Sequence, residues 1–388
     1  MALASFNANN LTYTVSLEPE LPDGMKTWAV VRGRAIDEIT GKPPASDVRV
    51  ESPTLGVSPR AGPGGQLGLV AIPRRAFPDL RNKNYPVAIT VEADGYLPMF
   101  RNRQFLADPT FPTTFSPIDL GDLELHRVPT LVSGRVVLNT GTDFQAIAGA
   151  TITLTGIWLT PPAASTTVPP SPPDLVSVTP GLYFDRPQAG TQVQPLTFFG
   201  APGPDKRLLE AARTDETLLH ISDRSQIANG DILAVDTQDP QRTEYISILS
   251  ITGASSDDQP ARVALDAPLR AMHAQGAIVH KVQFQNVGVL SLLSRDAIAG
   301  DVCLFVNAVA NLAAAPMLSL QGGGNPTEFH ATAYFNAVSD AQGFYRLPPI
   351  SRVAHCAIRG HDGAHPDLDQ LYSPEYGQEA SRLDFVYQ

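Results

Sequence analysis

Two separated stretches decide the fold: Val132 to Gly156, VSGRVVLNTGTDFQAIAGATITLTG, and Ser339 to Ile350, SDAQGFYRLPPI. In the first, Val132, Gly134, Val136 and Leu138 alternate with polar or smaller residues. After the small residues Ala148-Gly149-Ala150, the alternation resumes, with Ala150, Ile152 and Leu154 set against Thr151, Thr153 and Thr155. Successive strand residues face opposite ways, so a period of two marks a half-buried strand. In the second stretch, Asp340-Ala341-Gln342-Gly343 turns into Phe344-Tyr345-Arg346-Leu347. Read together, the two are the opening and middle strands of one β-sandwich split by a long insertion. A strand from Val353 to Ile358 and a closing strand from Leu383 to Tyr387 complete it.

Upstream, Trp28 to Arg127 reads as another sandwich. Val31, Gly33 and Ala35 alternate with Arg32, Arg34 and Ile36, and a turn at Thr40-Gly41-Lys42-Pro43-Pro44 leads to Val48 and Val50. Pro86 to Ala93 places Val87, Ile89, Val91 and Ala93 on one face and ends at the turn pair Asp94-Gly95 before Tyr96. Leu120 to Leu125 closes the sheet with Leu123 and Leu125 inward. Residues 1 to about 21 read as an extended arm with one strand, Leu11 to Leu17.

The run SGRVV, then AGATITL, then SDAQGFYRLPPI resembles the carboxypeptidase regulatory-like domain, a transthyretin-like β-sandwich. In that family a Gly-x-Val strand leads to a Gly-Ala-x-Val/Ile-x-Leu strand and an Asp-x-x-Gly-x-Phe/Tyr turn. The resemblance covers 132–156 and 331–358. It extends more loosely to 28–127 through Val31-Arg32-Gly33-Arg34, Asp47-Val48-Arg49-Val50 and Ala93-Asp94-Gly95-Tyr96, with Gly62-Pro63-Gly64-Gly65-Gln66-Leu67 in place of the acidic turn. It implies a non-catalytic domain of the kind that accompanies enzymes, adhesins and surface assemblies, and so it implies fold more than function.

The insertion opens with Pro161 to Pro173, PPAASTTVPPSPP, whose composition predicts an extended, solvent-facing linker; Leu175 to Phe184 is a candidate strand pair. Further on, the chain repeats itself at a shift of 85 positions. Thr217-Leu218-Leu219-His220-Ile221 falls on Val302-Cys303-Leu304-Phe305-Val306, Ile227 on Leu312, and Ile232-Leu233 on Met317-Leu318. With one gap, Thr243-Glu244-Tyr245 falls on Thr327-Glu328-Phe329. The first copy continues through Tyr245 to Ile251, Ala261 to Leu265 and Ala277 to Val282, enough for a small β-barrel. Its pattern resembles a small β module of bacterial surface and phage-tail proteins.

The totals fit this reading. A chain of 388 residues suits about two to four domains. Its 43% hydrophobic content supplies real cores, and 35 prolines with 30 glycines favour short strands and turns over helices. Only Lys206 to Arg213 and Pro268 to Gln275 carry short helical patterns. A net charge of −11 argues against a nucleic-acid surface, which needs clustered Lys and Arg. The start, MALASFNANNLTYTVSLEPELPDG, lacks the basic and apolar regions of a Sec signal, which predicts synthesis in the cytoplasm. Val302 to Leu320 is apolar, yet it holds Asn307, Asn311 and Pro316 and aligns with a polar segment, so it does not predict a membrane span.

Candidate chemistry is sparse. His355, His361 and His365, with Cys356, Asp362 and Asp367, form the one cluster with zinc-ligand chemistry, but the loop breaks helical spacing and His355 and Cys356 fall on opposite strand faces. Cys303 and Cys356 read as buried small hydrophobes, with a single bridge as the alternative. Gly62 to Gly68 and Gly322-Gly323-Gly324 read as loops rather than phosphate cradles. Asp37, Glu38, Asp257, Asp258, Asp367 and Asp369 read as turn carboxylates. Trp28, Trp158 and Tyr183 are aromatic candidates for sugar stacking, against packing in a core or at an edge.

The expected architecture is all-β: an arm over 1–21, a first sandwich over 22–127, a second over 128–156 plus 331–388, and an insertion over 157–330. That insertion divides into a Pro-rich linker, 157–200, and β modules at 213–283 and 299–330. No catalytic residue or cofactor is expected. The expected function is a non-catalytic structural or binding component of a phage tail or phage-tail-like contractile injection particle, with other subunits or further copies as partners. A leaderless carbohydrate-binding adhesin and an accessory protein of a separate hydrolase are the alternatives.

Overall fold

The computed structural model describes residues 2–8, 11–17, 27–111, 116–160, 174–253, 256–374 and 379–388. It is all-β, built from short strands, and divides into two units, Met1–Arg127 and Val128–Gln388. The arm holds two strands rather than one: Ala2–Ala8 pairs antiparallel with Leu11–Leu17. The Pro-rich run 161–173 lies outside the described residues.

In the first unit the sandwich has a four-stranded and a three-stranded sheet. Trp28–Asp37 lies between Gln66–Ala71, antiparallel, and Ile118–Leu125, parallel, and Val57–Ala61 flanks Gln66–Ala71. The facing sheet runs Val48–Glu51, Tyr85–Ala93, Met99–Phe105. Val31, Leu67 and Leu69 from one sheet and Val87, Ile89 and Val91 from the other are buried, the alternation expected of half-covered strands. The Gly62–Gly68 run is only partly a loop: Pro63–Gly65 is a 3-10 turn, and Gln66 onward is strand with Leu67 in the core.

The second sandwich repeats this wiring. Leu131–Asn139 pairs antiparallel with Phe344–Arg346 and parallel with Ala380–Arg382 and Phe385–Tyr387. Thr151–Trp158, His355–His361 and Leu368–Tyr372 form the facing sheet, with Asn336–Val338 on the far side of Thr151–Trp158. The turn that the first sandwich makes without an acid closes in the same way. Gly62 N donates to Gln66 O as Asp340 N does to Phe344 O, while Gly65 (φ 76°) and Gly343 (φ 78°) are both left-handed. A Cβ on either would lie 2.3 Å from Ala35 O or 2.5 Å from Val136 O, so the close approach, not the carboxylate, is what both turns share.

The insertion departs from its expected layout. Leu175–Thr179 and Gln192–Phe198 are strands that put Val176, Val178 and Val193 into a core, so the linker reading of 157–200 fails from residue 175 on, and residues 157 and 158 still belong to the strand Thr151–Trp158. The segment Lys206–Arg213 is not helical. Lys206-Arg207 is a short strand paired with Ile278–Val282, and its apolar residues Leu208 and Ala212 point into a barrel instead of along a helix face. The stretch 268–275 is likewise turn and bridge, not helix. Asn325–Ala333 belongs to the insertion, and the second sandwich resumes only at Asn336.

Two closed six-stranded barrels result. The inner one, within 200–283, runs Lys206-Arg207, Ile278–Val282, Ile232–Val235, Glu244–Thr252, Ala261–Leu265, Leu218–Ile221, and closes through a bridge from Leu208 to Ile221. The outer one runs Ser291-Leu292, Gln192–Phe198, Met317–Gly322, Asn325–Ala333, Leu175–Thr179, Cys303–Phe305, and closes through Leu293 to Val306. Closure removes exposed sheet edges. The two barrels correspond strand for strand, but two strands of the outer one, Leu175–Thr179 and Gln192–Phe198, precede the inner barrel in the chain. The outer copy is thus a circular permutation of the inner one, and the inner one is inserted into it. The ends of the inner segment meet, with Phe199 N donating to Gln283 O at 2.8 Å. The cores match as well: Leu219, Ile221, Leu233 and Val279 are buried where Leu304, Val306, Leu318 and Val193 are.

The outer barrel is joined firmly to the second sandwich. Leu175, Cys303 and Phe305 enter the sandwich core beside Ile350 and Val353. Ser351 N donates to Cys303 Sγ, whose thiol donates to Pro349 O, and buried Arg352 reaches Asp301 at 3.2 Å.

Candidate functional site

The histidine cluster does not converge. His355 contacts the Ser373 hydroxyl, His361 Nδ1 lies 2.7 Å from Asp367 and His365 Nδ1 lies 2.6 Å from Asp362. His361 ends the strand His355–His361 instead of sitting in the loop that the glycines suggested. Among the described residues no group of three or more His, Cys, Asp or Glu is placed to hold a metal.

The other candidates are also committed locally. Asp369 takes both arms of the Arg359 guanidinium, Asp257 takes Arg224 and Asp258 takes Ser256. Asp37 is not a solvated turn acid: it is buried, and it accepts from Tyr96 Oη at 2.8 Å and Arg127 Nε at 2.6 Å. Burial alone would raise its pKa, but Arg127, the Thr40 amide and Tyr96 together hold it below the ordinary carboxylate range. Cys303 and Cys356 are free and buried, and burial pushes both thiols up to about 12. Of the aromatic candidates, Trp28 is partly exposed and Trp158 packs edge-on to His355. Tyr183 is buried, so it is not a sugar-stacking surface.

What the structure does assemble lies at the seam between the barrels. Tyr245 pairs with Phe329, and Phe284 with Phe198. Each pair joins equivalent positions of the two barrels, so an approximate two-fold axis passes between them. On the outward side, the rings of Phe198, Tyr245, Phe284 and Phe329 pack at centroid distances of 5.3 to 6.0 Å. Phe198 is 46% exposed and the adjoining Phe199 is 55% exposed. An exposed cluster of aromatics on a rigid seam is a common composition for a contact surface.

On the inward side sits a buried polar node. Glu328 takes Arg186 Nε at 2.6 Å and the Tyr183 amide at 2.6 Å, and Arg186 also donates to the Gly322 and Pro326 carbonyls. In the inner barrel Glu244 takes the Arg270 and Ala271 amides, and His273 Nε2 lies 2.9 Å away. Glu244 and Glu328 are the glutamates aligned by the internal repeat, and His273 stands where Arg186 stands: Ala212 bridges His273 as Ala297 bridges Arg186. The node crosses the seam, because Tyr183 Oη donates to Glu244 at 2.9 Å and the Arg270 guanidinium donates to Tyr183 O at 2.7 Å. Burial, with Glu244 beside it, pushes the Tyr183 phenol well above its ordinary value. Burial opposes the charge on Glu328, but His330 and Arg186 outweigh it and hold its pKa below the ordinary range. The repeat named both glutamates, and Tyr183 was legible only as a sugar-stacking aromatic, a role its burial excludes; Arg186 and His273 carried no signal of their own because their partners lie far away in the chain.

No protein-family model matches the chain, and no curated protein matches it. The resemblance to carboxypeptidase regulatory-like domains therefore rests on the quoted motifs, whereas the all-β sandwich architecture stands on the strands themselves. Among solved structures the chain aligns with the major pilin subunit of Bacillus cereus at 8% identity, over 93% of this chain and 99% of that one, with a TM-score of 0.20. A point variant of that pilin aligns at 8% identity over the same shares with a TM-score of 0.21. The protocadherin gammaB4 extracellular domain aligns at 11% identity, over 100% of this chain and 71% of that one, with a TM-score of 0.08. Scores this low carry no argument about fold or function.

Proposed function

We propose that this protein is a structural or binding subunit of a protein assembly rather than an enzyme, and that the aromatic seam is its contact surface. The observation that carries the proposal is the placement of Phe198 and Phe199, half-exposed, over the joint between two closed barrels, with Phe198 packed into the ring cluster of Tyr245, Phe284 and Phe329. A closed barrel held by a buried ionic node is stiff, and a stiff platform loses little entropy when a partner docks on it. In its finer form the proposal places the subunit in a phage tail or phage-tail-like contractile injection particle, made in the cytoplasm. That part is supported by the serial arrangement of β modules and by the pattern of the repeated module.

The test uses the full chain and a Phe198→Ser/Phe199→Ser variant. Light scattering after size exclusion and cross-linking in lysate of the source cells would read self-association and partner capture, and sedimentation would ask whether the chain travels with particles. A defined complex lost in the variant, in a particle fraction, is expected. A monomer in every fraction that binds a glycan array would favour the adhesin reading, and co-purification with a hydrolase the accessory reading.

A further inference from the structure

We propose that the inner barrel carries an alkaline-sensitive lock, in which His273 holds Glu244 in place against the outer barrel only while its imidazole is protonated. His273 is fully buried, with Nε2 2.9 Å from Glu244 Oε1 and Nδ1 3.3 Å from Asp236 Oδ2. A neutral imidazole has one donor and one acceptor, so it satisfies only one of two carboxylates; the imidazolium satisfies both. At the equivalent place the outer barrel uses Arg186, and a guanidinium, unlike an imidazole, is not a neutral-pH switch. The two barrels thus share one device, a buried glutamate that caps loop amides and is neutralised by a cation; the outer glutamate, Glu328, has the Arg186 guanidinium beside it as well as His330 Nε2 at 3.2 Å, whereas the inner one, Glu244, relies on His273.

The charged and titratable groups facing His273 come from both barrels. Glu244, Asp236 and Arg270 belong to the inner one. Tyr183 belongs to the outer one and reaches Glu244 through its hydroxyl, with Glu328 at its amide and His330 stacked on its ring. Burial disfavours the imidazolium, but hydrogen bonds to Glu244 and Asp236 outweigh it and raise the pKa. The stabilisation is therefore complete below the ordinary histidine value of about 6.5 and is lost as pH rises through the folded value. Above that, two carboxylates surround a neutral ring, and the bonds from Tyr183 and the Arg270 and Ala271 amides to Glu244 lose their support.

The direct test is hydrogen exchange on the native protein, with protection factors corrected for intrinsic rate, from about pH 6 to about pH 9. Protection at the Arg270 and Ala271 amides, which cap Glu244, should fall at least tenfold, while the Tyr183 amide on Glu328 should hold. His273→Arg should flatten the fall. Because that larger side chain risks misfolding, the reciprocal Arg186→His is the second variant, and it should make the Tyr183 amide pH-sensitive. Protection at Arg270 and Ala271 that does not change with pH in the native protein, or an equal loss at all three amides, would overturn the proposal.

Discussion

Tyr245 pairs across the sheet with Phe329, and the two residues occupy the same position in the two barrels. A strand meeting its own counterpart is the signature of an isologous interface, the arrangement by which two identical subunits form a dimer. Here both halves are in one chain, and the interface is sealed by a ring cluster on one side and a buried node on the other.

The buried pair of Arg186 and Glu328 is expected to be far more sensitive to truncation than surface pairs. Glu328→Gln leaves a guanidinium in a site with no exposure and should cost about 3–5 kcal/mol. Asp122→Asn, which breaks the exposed pair with Arg34, should leave the midpoint of chemical unfolding unchanged within error. Urea titration of both variants compares them.

Acid should destabilise both units. The carboxyls of Asp37 and Glu328 are held below the ordinary range, so the stability they contribute is present above the unfolded carboxylate values, about 4, and is lost as pH falls through the folded ones. Unfolding midpoints measured from about pH 6 to about pH 2 should drop, and Asp37→Asn and Glu328→Gln should each lessen the slope for their own unit.

Gly134 is expected to tolerate no side chain. A Cβ there would lie 1.9 Å from Leu383 O, so Gly134→Ala should cost about 3 kcal/mol or more. The corresponding Gly33→Ala meets Leu120 Cβ at 3.2 Å and should cost less. Thermal melts of the two variants, tracked by circular dichroism, check the ranking.

Removal of the inner barrel should be tolerated better than removal of the whole insertion. Residues 200–283 leave and return side by side at Phe199 and Gln283, so a short Gly-Ser turn can replace them. Deleting 157–330 also removes Leu175, Cys303 and Phe305 from the core of the second sandwich, and that sandwich should not fold. Retention of the second sandwich's melting transition in the first deletion and its absence in the second is the expected result.

Both thiols should resist alkylation in the folded protein. Cys303 and Cys356 are buried with pKa values near 12, so iodoacetamide at mildly alkaline pH should label neither until denaturant is added. Mass spectrometry of the labelled protein counts the adducts.

The strands of both sandwiches were legible because each buries one face, and alternation at Val132 to Leu138 or Val87 to Ala93 reports that directly. Strands without clean alternation were not. Val57–Ala61 and Met99–Phe105 lie at sheet edges and are largely exposed, so they carry little hydrophobic pattern. The helical reading of Lys206 to Arg213 failed for the opposite reason: Lys206, Leu208 and Ala212 are all buried by distant strands, and local propensity does not register that.

By itself the order of residues determined the class, all-β with two sandwiches and a repeated module, because strand patterning and a direct repeat are local properties of the chain. Only the tertiary structure decided that the second copy of the module is permuted and encloses the first. A search at one shift sees strands that follow one another in the same order, and Leu175–Thr179 and Gln192–Phe198 complete their barrel from the wrong end of the chain. The node of Tyr183, Arg186, Glu244, His273 and Glu328 follows from that closure, since its members meet through burial in three dimensions and not through spacing in one.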